Sequence, residues 1–164
     1  MATDVRVGIG YDSHRFAEGH GVTLGGVLIP ASVRCTGHSD ADAVCHALTD
    51  AILGGAGIGD IGEMFPDTKT ENAGRDSIEM LTLAVARVRA AGWAPAQVDI
   101  TVIAETPRVG AHRPAIRERL AAAIGVTPDD VMIKGKTNEG MGWIGRGEGL
   151  ACIAVATLSR IAKA

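Results

Sequence analysis

From Val5 to Gly10 apolar residues alternate with Arg or Gly, the two-residue period of a β-strand. Val22 to Pro30, with Gly25-Gly26 in its middle, predicts a hairpin or a bulged strand pair. Ser39-Asp40-Ala41-Asp42 opens a helix, with Ser39 as the cap and Asp42 three residues on as a short capping-box variant. That helix runs through Ala43 to about Leu53 and stops at Gly54-Gly55. Gly57 to Glu71, containing Phe65-Pro66-Asp67, is expected as a loop. A second helix starts at Asp76 or Ser77 and ends at Gly92, with Arg87 and Arg89 favourably near its C-terminus. Val98 to Ala104 predicts a buried strand, Pro114 to Ile124 a third helix ended by Gly125, and Val131 to Lys134 and Leu150 to Leu158 two further strands. Strands alternating with helices point to a layered α/β domain, a sheet with helices packed on one face. No repeat, linker or low-complexity tract divides residues 1–164, so a single domain is expected.

Composition narrows the function. Hydrophobic residues are 46% and charged residues 21%, which excludes a disordered chain. Aromatics are 3%, so the core is built from Val, Ile, Leu and Ala and packs closely. The net charge of -3 and the pI near 5.9 leave no basic surface for nucleic acid. A small anion remains a fit, because a few cationic groups and helix N-termini suffice locally. No apolar run is long enough for a membrane span, and Met1 to Arg6 lacks the pattern of a signal peptide. Cys35, Cys45 and Cys152 are odd in number and not spaced as a redox or zinc pair. A reduced, cytoplasmic protein is expected.

Candidate chemistry gathers in three places. Asp12 and His14, two apart at the end of the first strand, project to one side, and His46 lies on the first helix. Two imidazoles and a carboxylate suit a catalytic zinc that keeps its fourth position open. On spacing alone, a capped turn and two hydrogen-bonded histidines are the more ordinary reading. Asp42, His46 and Asp50 share one helix face, either as a solvated stripe or with an Asp orienting a ligand His. Lys134 to Gly149 holds six glycines among Lys136, Thr137, Glu139, Arg146 and Glu148, either a phosphate-approaching backbone or a Gly-rich hairpin turn. Ile103 to Gly110 lies at the C-terminal end of a strand, either where α/β sheets bind ligands or as an ordinary proline turn. Gly59-Asp60-Ile61-Gly62 before Phe65-Pro66-Asp67 suggests a hinged flap or an ordinary turn.

Taken together, Gly10–Phe16 (GYDSHRF), His38–Gly54 (HSDADAVCHALTDAILG), Gly59–Thr68 (GDIGEMFPDT) and Gly145–Cys152 (GRGEGLAC) occur in an order that resembles the 2-C-methyl-D-erythritol 2,4-cyclodiphosphate synthases of the non-mevalonate isoprenoid pathway. The resemblance covers Val5 to Leu158. It implies a homotrimer of α/β subunits with mixed sheets toward the three-fold axis and active sites between neighbours. It further implies a zinc ion on Asp12, His14 and His46, and a substrate that is a cytidine diphosphate ester. By the same resemblance His38 and Ser39 contact the erythritol phosphate. Asp60, Ile61, Gly62, Phe65, Pro66 and Asp67 line the methylerythritol side and form the mobile loop. Ala104 to Gly110, including Arg108, and Lys136, Thr137, Asn138 and Glu139 of an adjacent subunit hold the cytidine and its phosphates. Glu139 carries Mg²⁺ or Mn²⁺, His38 and Thr137 are transition-state donors, and Trp143 and Arg146 line an axial cavity able to take an isoprenoid diphosphate. Two other readings use the same residues: a zinc-dependent phosphohydrolase, and a non-catalytic trimeric protein binding metal or nucleotide.

Overall fold

The first strand is longer than its alternation suggested and carries the candidate ligands in its interior. In the computed structural model, which describes residues 4–162, β1 runs Val5–Glu18, so Asp12 and His14 sit mid-strand rather than at its end. The leader reading at residues 1–3 lies outside the described residues. The remaining strands are β2 (Val22–Leu24), β3 (Val27–Ile29), β4 (Val33–Thr36), β5 (Trp93–Ile103), β6 (Val131–Lys136) and β7 (Gly149–Arg160). Five of them form one sheet in the order β4-β1-β7-β5-β6, with only β5 and β6 parallel, and β2-β3 is a separate hairpin. The sheet is therefore mixed. The segment β4 went unread because its four residues, Val33-Arg34-Cys35-Thr36, are too short to show a period.

The helices are α1 (Ala43–Ala56), α2 (Ile61–Met64), α3 (Ser77–Ala90), α4 (Arg113–Ile124) and α5 (Gly142–Gly145). Gly57 and Gly125 end α1 and α4 in the left-handed conformation, as C-terminal glycines do. The expected loop 57–71 is partly ordered, holding α2 and a 3₁₀ turn at Thr70–Asn72.

Glycine rather than the apolar residues of β1 faces the helices. A Cβ at Gly8 would come 1.9 Å from the Ala51 carbonyl oxygen, and one at Gly10 would come 1.8 Å from that of Ala47. The helix α1 thus lies directly on the backbone of β1, and the next positions on that face are Asp12 and His14. Beneath it, Leu48, Ile52, Leu81, Ile100, Ile133 and Leu150 form an almost ring-free core. The opposite face carries Val5, Val7, Ile9 and Tyr11, each 56–70% exposed, with Ile153 beside Tyr11.

The cap of α1 is Asp42, not Ser39. Its fully buried carboxylate accepts from the N–H groups of Val44 and Cys45 at 3.1 Å each, and from Gly25 and Gly26 of the hairpin at 2.9 and 2.7 Å. Burial pushes the Asp42 carboxyl up, against those donors, which favour its charged form. Asp42 therefore ties the hairpin to α1 and does not orient His46. Asp42→Ala leaves three buried donors and one half-buried donor unpaired and lowers stability by roughly 2–5 kcal/mol, read as a lower urea midpoint. An unchanged midpoint would mean the hairpin is held by other contacts.

Candidate active site

Because α1 rests on β1, the His46 ring meets the two side chains below it. Asp12 Oδ2 lies 2.8 Å from His14 Nε2 and 3.1 Å from His46 Nδ1, and the two ring nitrogens are 3.4 Å apart. Among the described residues no other His, Cys, Asp or Glu joins this cluster. Tetrahedral zinc with bonds of ~2.0–2.1 Å spaces its ligand atoms by about 3.3 Å, close to these separations.

Each ring turns its outer nitrogen to a hydrogen-bond partner and its inner nitrogen to the cluster. His14 Nδ1 is 3.0 Å from the Thr36 carbonyl, which can only accept, so that nitrogen carries the proton and Nε2 is free. His46 Nε2 lies 2.9 Å from Ser39 Oγ and 2.8 Å from Ser77 Oγ, leaving Nδ1 toward the cluster. Two ring nitrogens facing each other beside a carboxylate are stabilised by a cation, so the donor set fits a divalent metal. The acid–base properties show a site that favours positive charge. Burial pushes the Asp12 carboxyl up, but hydrogen bonds and charge from His14 and His46 outweigh it and hold it at about 2. Burial alone would depress His14, yet Asp12 raises it above the usual range.

The cluster forms the floor of a cavity of about 220 Å³ walled by His38, Ser39, Ile61, Gly62, Phe65 and Asp67. Asp50, from the polar face of α1, accepts from the Ile61 N–H at 2.8 Å and so anchors the entry of the flap. Two flap residues expected in the wall are used elsewhere. Asp60 caps α2 by accepting from the Glu63 N–H, and the Pro66 carbonyl accepts from Asn72 Nδ2. Asn72 and Met80 complete the wall and were not foreseen. Asn72 is buried yet polar, but nothing in its neighbours by sequence marks it.

A second cavity, about 300 Å³, lies at the ends of β5 and β6 and includes Ala104, Arg108, Lys136 and Thr137. Asn138 and Glu139 follow in a loop outside its lining. Glu105 clamps that loop, accepting from the N–H groups of Asn138 at 2.9 Å and Gly140 at 3.4 Å, while Glu139 takes a left-handed φ of 52°. Glu105 is a residue the sequence reasoning passed over, although it stands in the singled-out stretch Ile103–Gly110. The glycines of 134–149 are in part structural: a Cβ at Gly145 would sit 2.0 Å from the Gly140 carbonyl carbon. Trp143 lines a third hollow with Ser13, Arg15 and Glu148, and Arg146 pairs with Glu148 at 2.7 Å. His38 and Thr137 fall in different cavities of the one chain. Burial pushes every thiol up, Cys35 to about 12 and Cys45 and Cys152 well above the usual thiol range, so none is a ready nucleophile.

The model of the YgbB family matches residues 5–159, nearly the whole length over which these elements are built. The chain belongs to the YgbB family. Two YgbB-family relatives, each named 2-C-methyl-D-erythritol 2,4-cyclodiphosphate synthase, are the Gemmatimonas aurantiaca protein and the Bordetella petrii protein. The first is 60% identical, covering 98% of this chain and 97% of its own. The second is 51% identical, covering 98% and 99%. The YgbB fold is shared with the bifunctional IspDF of Campylobacter jejuni, with a TM-score of 0.93 and 36% identity over 98% of this chain. This chain spans 43% of that longer protein. The Plasmodium falciparum IspF, solved as a CDP complex, gives a TM-score of 0.84 and 32% identity over 99% of this chain and 100% of its own. No described helix is long and apolar enough to cross a membrane.

Proposed function

We propose that the protein converts 4-diphosphocytidyl-2-C-methyl-D-erythritol 2-phosphate to 2-C-methyl-D-erythritol 2,4-cyclodiphosphate, the product that names its relatives, with release of CMP. The observation that carries this reading is the cluster of Asp12, His14 and His46 on the floor of a cavity walled by the flap. The three residues would hold zinc, the metal that two imidazoles and a carboxylate with an open position suit. Bound there, zinc supplies a Lewis-acid contact that neutralises charge on a phosphate oxygen. Glu139, an exposed hard oxygen donor, would hold Mg²⁺ or Mn²⁺, which would neutralise charge on the substrate diphosphate.

In the reaction an oxygen of the 2-phosphate bonds to the β-phosphorus, and the bond from that phosphorus to the bridging oxygen breaks. The electron pair leaves with CMP. Such a transfer depends on positioning and charge neutralisation, not on a covalent protein intermediate, in keeping with the inert thiols. Holding the substrate folded so that the two phosphates meet can supply up to about 7–11 kcal/mol of the barrier. His38 and Ser39 contact the erythritol phosphate. Ile61, Gly62, Phe65 and Asp67 enclose the methylerythritol end, with Asp60 and Pro66 shaping the flap. A closed flap excludes water, which would otherwise yield a linear product. Ala104, Arg108, Lys136, Thr137 and Asn138 hold the cytidine and its phosphates, consistent with the CDP bound by the Plasmodium falciparum relative.

The substrate has a nucleotide at one end and a methylerythritol phosphate at the other, whereas the two cavities share no lining residue and β7 lies between their strands. A neighbouring copy that brings its nucleotide cavity beside this metal cluster would complete the site and pair His38 with Thr137. The uncovered apolar row Val5, Val7, Ile9 and Tyr11 is the surface for that assembly, since monomers rarely expose such a patch. We assign a homotrimer with this face toward its axis, where Trp143 and Arg146 line the central cavity open to an isoprenoid diphosphate. Sedimentation then gives three times the 16.9 kDa chain mass, and a monomer at working concentration would refute the shared site. The free thiols suit the reducing cytoplasm.

Phosphorus NMR of the protein with Zn²⁺, Mg²⁺ and the cytidylyl substrate tests the reaction. The cyclic diphosphate appears together with CMP. A linear product would assign a phosphohydrolase instead, and absence of turnover with metal bound would leave a binding protein.

A further inference from the structure

Ser77 opens α3 and is fully buried, and the proposed reaction gives it no part. Its backbone N–H donates to Asp40 Oδ2 at 2.9 Å, and its hydroxyl contacts Asp40 Oδ1. On the opposite side the same hydroxyl oxygen lies 2.8 Å from His46 Nε2. A carboxylate can only accept, so the single hydroxyl proton of Ser77 points to Asp40. The Ser77 oxygen then faces His46 as an acceptor. That requires Nε2 to be N–H and leaves Nδ1 unprotonated, the nitrogen that faces Asp12 and His14. Ser39 Oγ also reaches Nε2 at 2.9 Å, but Ser39 is only half-buried, and no carboxylate accepts its proton among the described residues.

We propose that Asp40 and Ser77 are positioning residues of the metal centre, a directed chain Asp40–Ser77–His46 that holds His46 in the one tautomer able to ligate. The inference rests on the reading of Asp12, His14 and His46 as a metal site and extends it one contact outward. Because Ser77 supplies the acceptor for His46, the Ser39 hydroxyl is free to donate its proton into the cavity. The chain also joins two segments 37 residues apart, the turn before α1 and the start of α3.

Two measurements test it on the full chain. Long-range ¹H–¹⁵N NMR of the metal-free protein reads the His46 tautomer, and competition with a chelator reads the affinity for Zn²⁺ alone. The wild type shows Nε2–H. Ser77→Ala loses that fixed tautomer and binds zinc roughly 10–100-fold more weakly, the range for losing an outer partner of a ligand. Ser77→Thr keeps the hydroxyl and recovers both readouts. Asp40→Asn is the sharper probe. Two backbone N–H groups compete for the amide oxygen, Ser77 at 2.9 Å and Asp42 at 3.3 Å, and the shorter contact claims it, which turns the NH₂ toward Ser77 Oγ. The hydroxyl proton then swings to His46 Nε2 and drives the ring to the Nδ1–H form, weakening zinc in the same range without loss of volume. Should Ser77→Ala fail to fold, Asp40→Asn decides. Unchanged tautomer and unchanged zinc affinity in these variants overturn the proposal. Zinc affinity that is also indifferent to His46→Ala overturns the metal reading and this inference with it, a pattern distinct from indifference to Ser77 and Asp40 alone.

Discussion

His46→Ala loses zinc affinity by more than about 100-fold, beyond the 10–100-fold expected for an outer partner, and cyclisation falls with it. The ring supplies one of the three cluster atoms, and no neighbouring His, Cys, Asp or Glu among the described residues can replace it. Secondary structure survives, because Ala suits a helix interior and the His46 ring is only partly buried. Circular dichroism and sedimentation should therefore match the wild type while chelator competition and product formation do not. A variant that binds zinc with wild-type affinity would remove His46 from the site. Loss of folding in place of loss of metal would make the ring a packing element.

Gly10→Ala and Gly8→Ala are expected to destabilise the protein by more than about 3 kcal/mol each, above the usual ~1–3 kcal/mol of an overpacked core. The reason is the identity of the obstructing atoms. The added methyl at position 10 meets the Ala47 carbonyl at 1.8 Å, and at position 8 the Ala51 carbonyl at 1.9 Å, all of it helix backbone with no rotamer to change. Relief comes only by lifting α1 from β1, which carries His46 away from Asp12 and His14. Urea unfolding and zinc titration should thus fail together. A stable Gly10→Ala protein with wild-type zinc affinity would show that the separation of α1 and β1 does not set the site.

These glycines also mark where the sequence could be read and where it could not. The alternation in Val5–Gly10 announced a strand, but nothing local says which of its two faces meets a helix. The face with side chains lies open and the face without them is buried, because a helix backbone approaches closest where there is no Cβ. Helix ends were legible where a single residue decides them, as Gly125 does for α4. The start of α1 was misassigned because Ser39 and Asp42 are both good caps. Their choice rests on the hairpin N–H groups of Gly25 and Gly26, which Asp42 reaches across the fold. Within the site, Asp12 and His14 were placed on one side by the strand period alone. Of the partners that give the cluster its directionality, Thr36 is 22 residues from His14 and Ser77 is 31 from His46, so local spacing carries no trace of them, while Asp40 stands close to His46 in sequence but acts only through Ser77. Glu105 was hidden for the same reason: its work is done on backbone N–H groups 33 and 35 residues further on.

All three cluster residues lie on one chain, although the proposed substrate site needs two. Metal occupancy is then a unimolecular property, set by free metal and indifferent to protein concentration, while nucleotide capture beside the metal follows the law of mass action between subunits. Dilution at fixed free metal should uncouple them, leaving a protein that keeps its affinity for metal and has lost its substrate.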